Sequence, residues 1–180
     1  MVNNYDEFYK LLTKKIKKYG YGWKLHITQK KNIILCDERL LIIPQHKNLL
    51  KPNGLWTSVL YKSNKKDLSW IEWLQTEIPD KIVPNNTKYF IIKYNYENIL
   101  RIHSAKELKQ FPNKYGYYSN ISKYILIDWR SVAKEYKGID ISPVQKKLLH
   151  DKNFIWYSSW DCSSQCIWDF SAIKECLEIS

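Results

Sequence analysis

Three of the chain's eight tryptophans lie within fourteen residues, in the segment WYSSWDCSSQCIWD (156–169). An indole is costly to place, because its bulk must be buried while its N–H group still needs a hydrogen-bond acceptor. The segment must therefore run through the core as a strand or form a wall of a pocket that holds a flat polar ligand. Serines and aspartates alternate with the aromatic residues, and both alternatives stay open at this point.

The hydrophobic periodicity predicts one α+β domain with short, mostly antiparallel strands and flanking helices. A chain of 180 residues is long enough to bury a core, and no repeat or linker divides it. We expect an N-terminal helix over 4–19 and an α+β core over 23–180. Strands are predicted at 23–28, 40–43, 54–60, 87–94, 98–103, 138–142, 154–160 and 164–170, and the segment 172–179 is a strand or a helix.

Three further helices are predicted from their N-terminal caps. The first covers 67–78 and begins at Asp67 or Ser69. The second covers 104–111, where Ser104 and Glu107 form a capping box. The third covers 128–138, is capped by Asp128 and ends at a glycine.

The formal net charge of +11 favours an anionic partner such as nucleic acid, a nucleotide or an acidic membrane surface. The lysine-rich stretches 14–18, 62–66 and 146–147 are the candidate contact surface, although such stretches are more often solvated faces. An AT-rich coding sequence would also enrich lysine, asparagine, isoleucine and tyrosine, so drift can account for part of this charge.

The start of the chain has no apolar segment typical of a signal peptide, and no window of 18 apolar residues is present. We therefore expect an intracellular, cytoplasmic protein without a membrane partner, located in the host cytoplasm if it is viral. The N-terminal helix is amphipathic and basic; it could lie on a membrane, but docking on the core is the expected arrangement.

The sequence argues against several catalytic classes. Cys162 and Cys166 are spaced C-x3-C without nearby histidines, so we expect free thiols and no metal site. Phosphate-binding glycine motifs are missing. Pro79 and Asp80 with Glu107 and Lys109 spell the PD…ExK nuclease pattern, but the capping-box helix would point the last two apart.

Polar residues share one side of two predicted strands. His26 and Thr28 lie two residues apart on the first strand, as do Trp56 and Ser58 on the next, so each pair faces one side. A lone histidine on a strand is more often structural. The two strands together, followed by the tryptophan-rich segment, favour a shared cleft.

The segments LHIT, KPNGLWTS, SWIEW, IDWRSVAKEYKGIDISP and WYSSWDCSSQCIWD resemble an uncharacterised family of phage, bacterial and giant-virus proteins. Its pattern is GLW-x-S near the start and WY…WD…S-x-CIWD near the end. The resemblance covers roughly residues 23–175 and implies no particular activity.

The same strands resemble the ADP-ribosyltransferase superfamily, whose small α+β domain opens with an H-x-T strand. Its second strand carries an aromatic residue and a serine, and a late strand supplies an acidic residue. His26 and Thr28 match the first element, and Trp56 and Ser58 match the second. Asp161 is the best match to the acid, because no glutamate stands at an obvious late strand position.

This resemblance implies that the protein binds NAD as a substrate and transfers ADP-ribose to a macromolecular acceptor, either protein or nucleic acid. It implies catalytic roles for Asp161 and His26, and cofactor contacts from His26, Thr28, Trp56, Ser58 and Trp160. Glu175 and Glu178 are less attractive acids because they lie in the terminal segment. Asp161 has a structural alternative too, in which it caps a turn closed by Ser163 or Ser164.

Two functions of other classes remain open. One is a non-catalytic module that holds single-stranded nucleic acid by stacking and charge. The other is a viral interaction protein that blocks a host factor and has no small-molecule site.

Overall fold

The structure is a computed structural model that describes residues 4–20, 22–29, 41–60, 68–77, 87–120 and 123–179. The helices in these ranges are α1 (Asn4–Ile16), α2 (Trp70–Glu77), α3 (Ala105–Tyr115) and α4 (Trp129–Ala133). The strands are β1 (Trp23–Thr28), β2 (Leu55–Val59), β3 (Lys88–Tyr94), β4 (Ile99–Ile102), β5 (Gly116–Tyr118), β6 (Ile125–Ile127), β7 (Gly138–Ile141), β8 (Ser164–Ile167) and β9 (Ile173–Ile179). Short 3₁₀ helices lie at Tyr96–Asn98, Lys146–Leu148, Lys152–Tyr157 and Phe170–Ala172.

Seven of the strands form one sheet in the order β4-β7-β8-β2-β1-β3-β9. Only the pair β4–β7 is parallel, and β5 and β6 form a separate antiparallel pair. The prediction of a small, mostly antiparallel α+β domain is confirmed. The order also places β8, β2 and β1 side by side in the sheet.

The sheet opens between β1 and β2. Strand β1 pairs with β3 along all six of its residues, but it pairs with β2 only at Lys24–Val59 and Leu25–Ser58. Strand β2 meanwhile pairs with β8 from Leu55 to Ser58. The two neighbours therefore part at His26, the next residue of β1.

Two groups of helices cover one face of the sheet. Helices α1 and α2 pack over β1 and β3 around Leu25 and Ile91. Helices α3 and α4, with the 3₁₀ helix at 152–157, pack over β7 and β8. Four fully buried tryptophans lie in this second cluster: Trp129, Trp156, Trp160 and Trp168. A third cluster includes Phe90 and Ile92, which alternate with Ile91 along β3 and so belong to the opposite face.

A buried polar network crosses the sheet. The Lys24 ammonium forms an ion pair with Asp140 at 3.5 Å, and both side chains are almost fully buried. The Gln165 side chain donates to Asp140 at 2.8 Å and accepts from the Thr57 hydroxyl at 3.0 Å. The Tyr94 hydroxyl donates to Thr57 at 3.3 Å. These side chains tie β1, β2, β3, β7 and β8 together.

Most predicted elements lie where the sequence placed them, with shifted ends. Helix α1 ends at Ile16 instead of residue 19, and the capping box of α3 is confirmed. Ser69 begins α2, and its hydroxyl accepts from Glu72 N; the alternative cap, Asp67, lies outside the described residues. The helix capped by Asp128 is wrong beyond Ala133, because Lys137 N donates to the Asn98 carbonyl and the chain enters β7.

Two predicted strands are wrong. The segment 154–160 lies mostly in a 3₁₀ helix that begins after Asp151, whose side chain accepts from Asn153 N. Leu41 and Ile42 are exposed, and Ile42 forms an isolated bridge with Asp169, beyond the end of β8, while residue 40 lies outside the described ranges. Strand β8 is shorter than predicted and ends at Ile167.

The final segment forms strand β9, which decides the open choice between strand and helix there. None of the described helices has both the length and the apolar character that crossing a bilayer requires.

Candidate functional site

A cleft of about 190 Å³ lies beside β2, between α2 and the loop that leads into β8. Three indoles line it, from Trp56 of β2 and from Trp70 and Trp73 of α2. Its charged residues are Lys51 and Asp161. The lining is completed by three smaller residues: Thr57, Cys162 and Ser164.

The start of α2 is fixed to two walls of this cleft. The Ser58 hydroxyl accepts a hydrogen bond from Trp70 N at 3.0 Å, so the first turn of α2 is tied to β2. Ser163 N donates to the Leu68 carbonyl at 2.9 Å, which ties the segment before α2 to the loop that carries Asp161. The indoles of α2 are therefore held against that loop.

Trp56 is supported from behind by buried aromatic rings. Its ring meets Trp160 edge-on at a centroid distance of 4.8 Å, and Trp160 stacks on Tyr157 at 5.9 Å. Trp160 is fully buried and does not line the cleft, although the sequence predicted a cofactor contact for it. Trp168, another indole of the segment, lies in the core and donates to the Tyr136 carbonyl at 2.7 Å.

Lys51 is the cation of the cleft. Its ammonium lies 4.9 Å from the centre of the Trp56 ring and 5.9 Å from that of Trp160. Within the described residues it makes no hydrogen bond and no ion pair. Burial lowers the pKa of Lys51, and the nearby Asp161 carboxylate opposes that shift.

Asp161 is exposed at the rim of the cleft. Its carboxylate accepts no hydrogen bond from the part of the chain that the structure describes. The serines proposed to close a turn with it bond elsewhere: Ser163 Oγ accepts from Val144 N, and Ser164 Oγ donates to the Cys162 carbonyl. The alternative in which Asp161 caps a turn is therefore wrong.

His26 lies at the point where β1 and β2 part. Its Nδ1 is 2.7 Å from the Trp56 carbonyl oxygen, and because a carbonyl only accepts, Nδ1 carries the proton. Nε2 is then an acceptor, and it is buried without a hydrogen-bond partner among the described residues. Burial lowers the pKa of His26, which keeps the ring neutral near pH 7. Its ring centroid lies 6.5 Å from that of Trp70, which lines the cleft.

His26 does not line the cleft, and two other predicted contacts also lie outside its lining. Ser58 is fully buried and its hydroxyl is bonded to Trp70 N, so it supports α2 instead of facing the cleft. Thr28 is the last residue of β1 and is paired in register with Lys88. The less favoured acids, Glu175 and Glu178, lie on β9, which β1 and β3 separate from β2.

The geometry disfavours other chemistries for this cleft. Burial raises the pKa of Cys162 to about 12, so its sulfur stays a thiol and is a poor nucleophile. No cluster of potential metal ligands exists in the described ranges. Of the nuclease-like pattern, Glu107 and Lys109 lie in α3, whereas residues 79–80 are outside the described ranges.

Sequence reasoning missed Lys51 as a site residue. It precedes Pro52 in a loop, and a charged loop residue is usually solvated. Besides Trp56, its ammonium lies near the ring of Trp160, a residue more than one hundred positions away, and no local pattern indicates that approach. For Trp70 and Trp73 a signal was present, because the spacing i, i+3 puts both on one face of a helix.

No protein-family model, curated protein or solved structure matches this chain. The cleft must therefore be interpreted from its own geometry.

Proposed function

We propose that the protein binds NAD and transfers ADP-ribose to a macromolecular acceptor, as an ADP-ribosyltransferase-like enzyme. The observation that carries this proposal is the adjacency of β1, β2 and β8. Trp56 and Asp161 line one aromatic cleft, and His26 is hydrogen-bonded to the main chain of Trp56 beside it.

The size of the cleft fits one ring of the dinucleotide. Pockets for whole drug-sized ligands are typically about 300–1,000 Å³, and this cleft, at about 190 Å³, is smaller. Nicotinamide in NAD is a flat cation, which stacks favourably on the electron-rich face of an indole. We assign the nicotinamide ring to the space beside Trp56, and the rest of the dinucleotide lies outside.

His26 supplies an acceptor for the sugar. Its neutral Nε2 has no protein donor among the described residues, so a ribose hydroxyl is a suitable partner. Because His26 does not line the cleft, this role requires the ribose to reach beyond Trp70, which lines the cleft with its ring 6.5 Å from that of His26. The hydrogen bond would fix the ribose while the glycosidic bond breaks.

Asp161 acts on the developing cation. Nicotinamide leaves with the electron pair of the C–N bond, and the ribose carbon becomes an oxocarbenium ion. A nearby carboxylate stabilises this charge more than it stabilises the ground state, which accelerates the reaction. The acceptor then attacks that carbon and releases a proton. An exposed residue at the rim suits a macromolecular acceptor, which cannot enter the cleft.

Ligand binding tests the proposal directly. Calorimetric titration with NAD should show binding by the wild type and a loss of about tenfold or more in Trp56→Leu, as expected for a lost stacking partner. Trp23→Leu is the matched control, because Trp23 is also half-buried but lies under Lys93, outside the lining of the cleft. Equal losses in both variants, or no binding by the wild type, would reject the proposal.

One observation favours nucleic-acid binding as a second candidate. Tyr118 and Tyr124, in the β5–β6 hairpin, are 59% and 43% exposed, and Lys123 lies beside them. Exposed rings next to lysines can stack with unpaired bases. Binding of a single-stranded oligonucleotide that weakens steeply with salt and is lost in Tyr118→Ala would support this function. Salt-insensitive binding, or none, would exclude it.

A further inference from the structure

Lys51 is a charged group without a direct partner in a partly desolvated site. A buried charge is normally paired, because the free energy lost when it is removed from water exceeds the free energy gained from contacts with aromatic rings. Here the ammonium rests on the faces of Trp56 and Trp160 and bonds to no described residue. Asp161 is the nearby carboxylate, but it forms no ion pair with Lys51.

An ammonium group offers three donors and no acceptor. Contacts with the Trp56 and Trp160 rings place the Lys51 ammonium in the cleft, where its N–H groups can donate hydrogen bonds to a ligand. A hydrogen bond between an ammonium and an anionic oxygen is among the stronger polar contacts, and its value rises where water is excluded. An anionic group of the ligand satisfies these donors.

We infer that the cleft binds an aromatic ligand that carries a phosphate, and that Lys51 binds the phosphate oxygens. The ring occupies the space beside Trp56 in the cleft, and the phosphate reaches the Lys51 ammonium. The inference shares its cleft with the proposed function, and rests on it for the choice of ring. It does not depend on any transfer step, because it concerns binding alone.

The test compares two ligands that differ by one phosphate: nicotinamide mononucleotide and nicotinamide riboside. Wild type should bind the phosphorylated ligand about tenfold or more tightly, as expected for a hydrogen bond between charged groups. Lys51→Met keeps most of the aliphatic stem, and should bind both ligands equally. Lys51→Arg keeps the charge and should retain most of the preference.

Lys47→Met is the matched control. Lys47 also lies over an aromatic ring, that of Tyr117 at 4.3 Å, but it does not line the cleft. Its removal changes the net charge by the same amount and should leave the preference for phosphate intact.

Several outcomes would overturn the inference. They are the absence of binding by either ligand, equal binding of both by wild type, and an equal loss of both in Lys51→Met. The last result would mean that Lys51 only packs against the indoles. A phosphate preference lost in Lys51→Met, without nicotinamide release from NAD, would support the inference and reject the transferase proposal. Nicotinamide release from NAD without a preference for the phosphorylated ligand would support the transferase proposal and reject the inference.

Discussion

The His26 imidazole donates its Nδ1 proton to the main-chain carbonyl of Trp56, 2.7 Å away, at the point where β1 and β2 part. This hydrogen bond fixes the tautomer of His26 and leaves Nε2 as a buried acceptor. It also joins the two strands where their ladder ends. The neighbouring positions of β1 and β2 in the sheet therefore determine which imidazole nitrogen of His26 can accept a hydrogen bond from a ligand.

The first prediction concerns pH. Because burial lowers the pKa of His26 below its ordinary value of about 6.5, the unfolded state binds more protons between the two values. The contribution of the neutral His26 to the free energy of unfolding is therefore fully retained above pH 6.5. It is lost as the pH falls towards the pKa of His26 in the folded state. His26→Asn keeps a donor for the Trp56 carbonyl but does not titrate. Urea unfolding from pH 7.5 to 5 should show a flatter pH dependence for this variant.

The matched control is His103→Asn. The Nδ1 of His103 also lies within hydrogen-bonding distance of a carbonyl, that of Ser142 at 2.8 Å, but its ring is exposed. Introduced into both wild type and His26→Asn, this exposed substitution should leave the difference between their pH dependences unaltered. If His26→Asn and wild type lose stability in parallel, burial does not control the titration of His26.

The second prediction concerns Ser58. Its hydroxyl accepts from Trp70 N at 3.0 Å and is buried, so Ser58→Ala leaves a helix N–H group without an acceptor. We expect a loss of roughly 1–2 kcal/mol in the free energy of unfolding. Ser158→Ala removes only a bond to the Ile155 carbonyl in the same helical turn and should cost less. Similar losses in urea denaturation would show that Ser58 does not anchor α2.

The third prediction concerns the buried ion pair. Asp140→Ala leaves the Lys24 ammonium without its buried carboxylate, and such losses cost roughly 3–5 kcal/mol. Adding Lys24→Met should restore most of the stability, because the buried ammonium that has lost its carboxylate is then removed. Asp169→Ala, at a half-buried carboxylate 4.0 Å from Lys137, should cost much less. A double variant as unstable as Asp140→Ala in chemical denaturation would contradict this account.

The sequence predicted the strands around the cleft because each carries a local pattern of period two. His26 and Trp56 lie on strands β1 and β2 as expected. The prediction of a strand at 154–160 was wrong, because the spacing of its aromatic residues suits a helix as well as a strand. Tyr157 and Trp160 lie three residues apart, which brings their rings together on a 3₁₀-type turn.

The site itself was harder to predict than the strands. Asp161 was identified by resemblance, and no pattern in the sequence shows that it stays unpaired at the rim. The role of Lys51 depends in part on Trp160, which is distant in sequence, and that of Ser58 depends on the main-chain N–H of Trp70 across the intervening loop. Local periodicity reports which side of a strand a residue faces, but not which distant side chain covers it.

The most direct test of the proposed function is nicotinamide release from NAD by purified Asp161→Asn and wild-type protein. The variant keeps the shape and hydrogen-bonding capacity of the side chain but removes its negative charge. It should fold and bind NAD like wild type, while release falls by about 10²-fold or more. Asp151→Asn changes the charge equally at the cap of the 152–157 helix and should release nicotinamide at the wild-type rate. No release by wild type would contradict the enzyme proposal, and undiminished release by Asp161→Asn would contradict the role of this carboxylate.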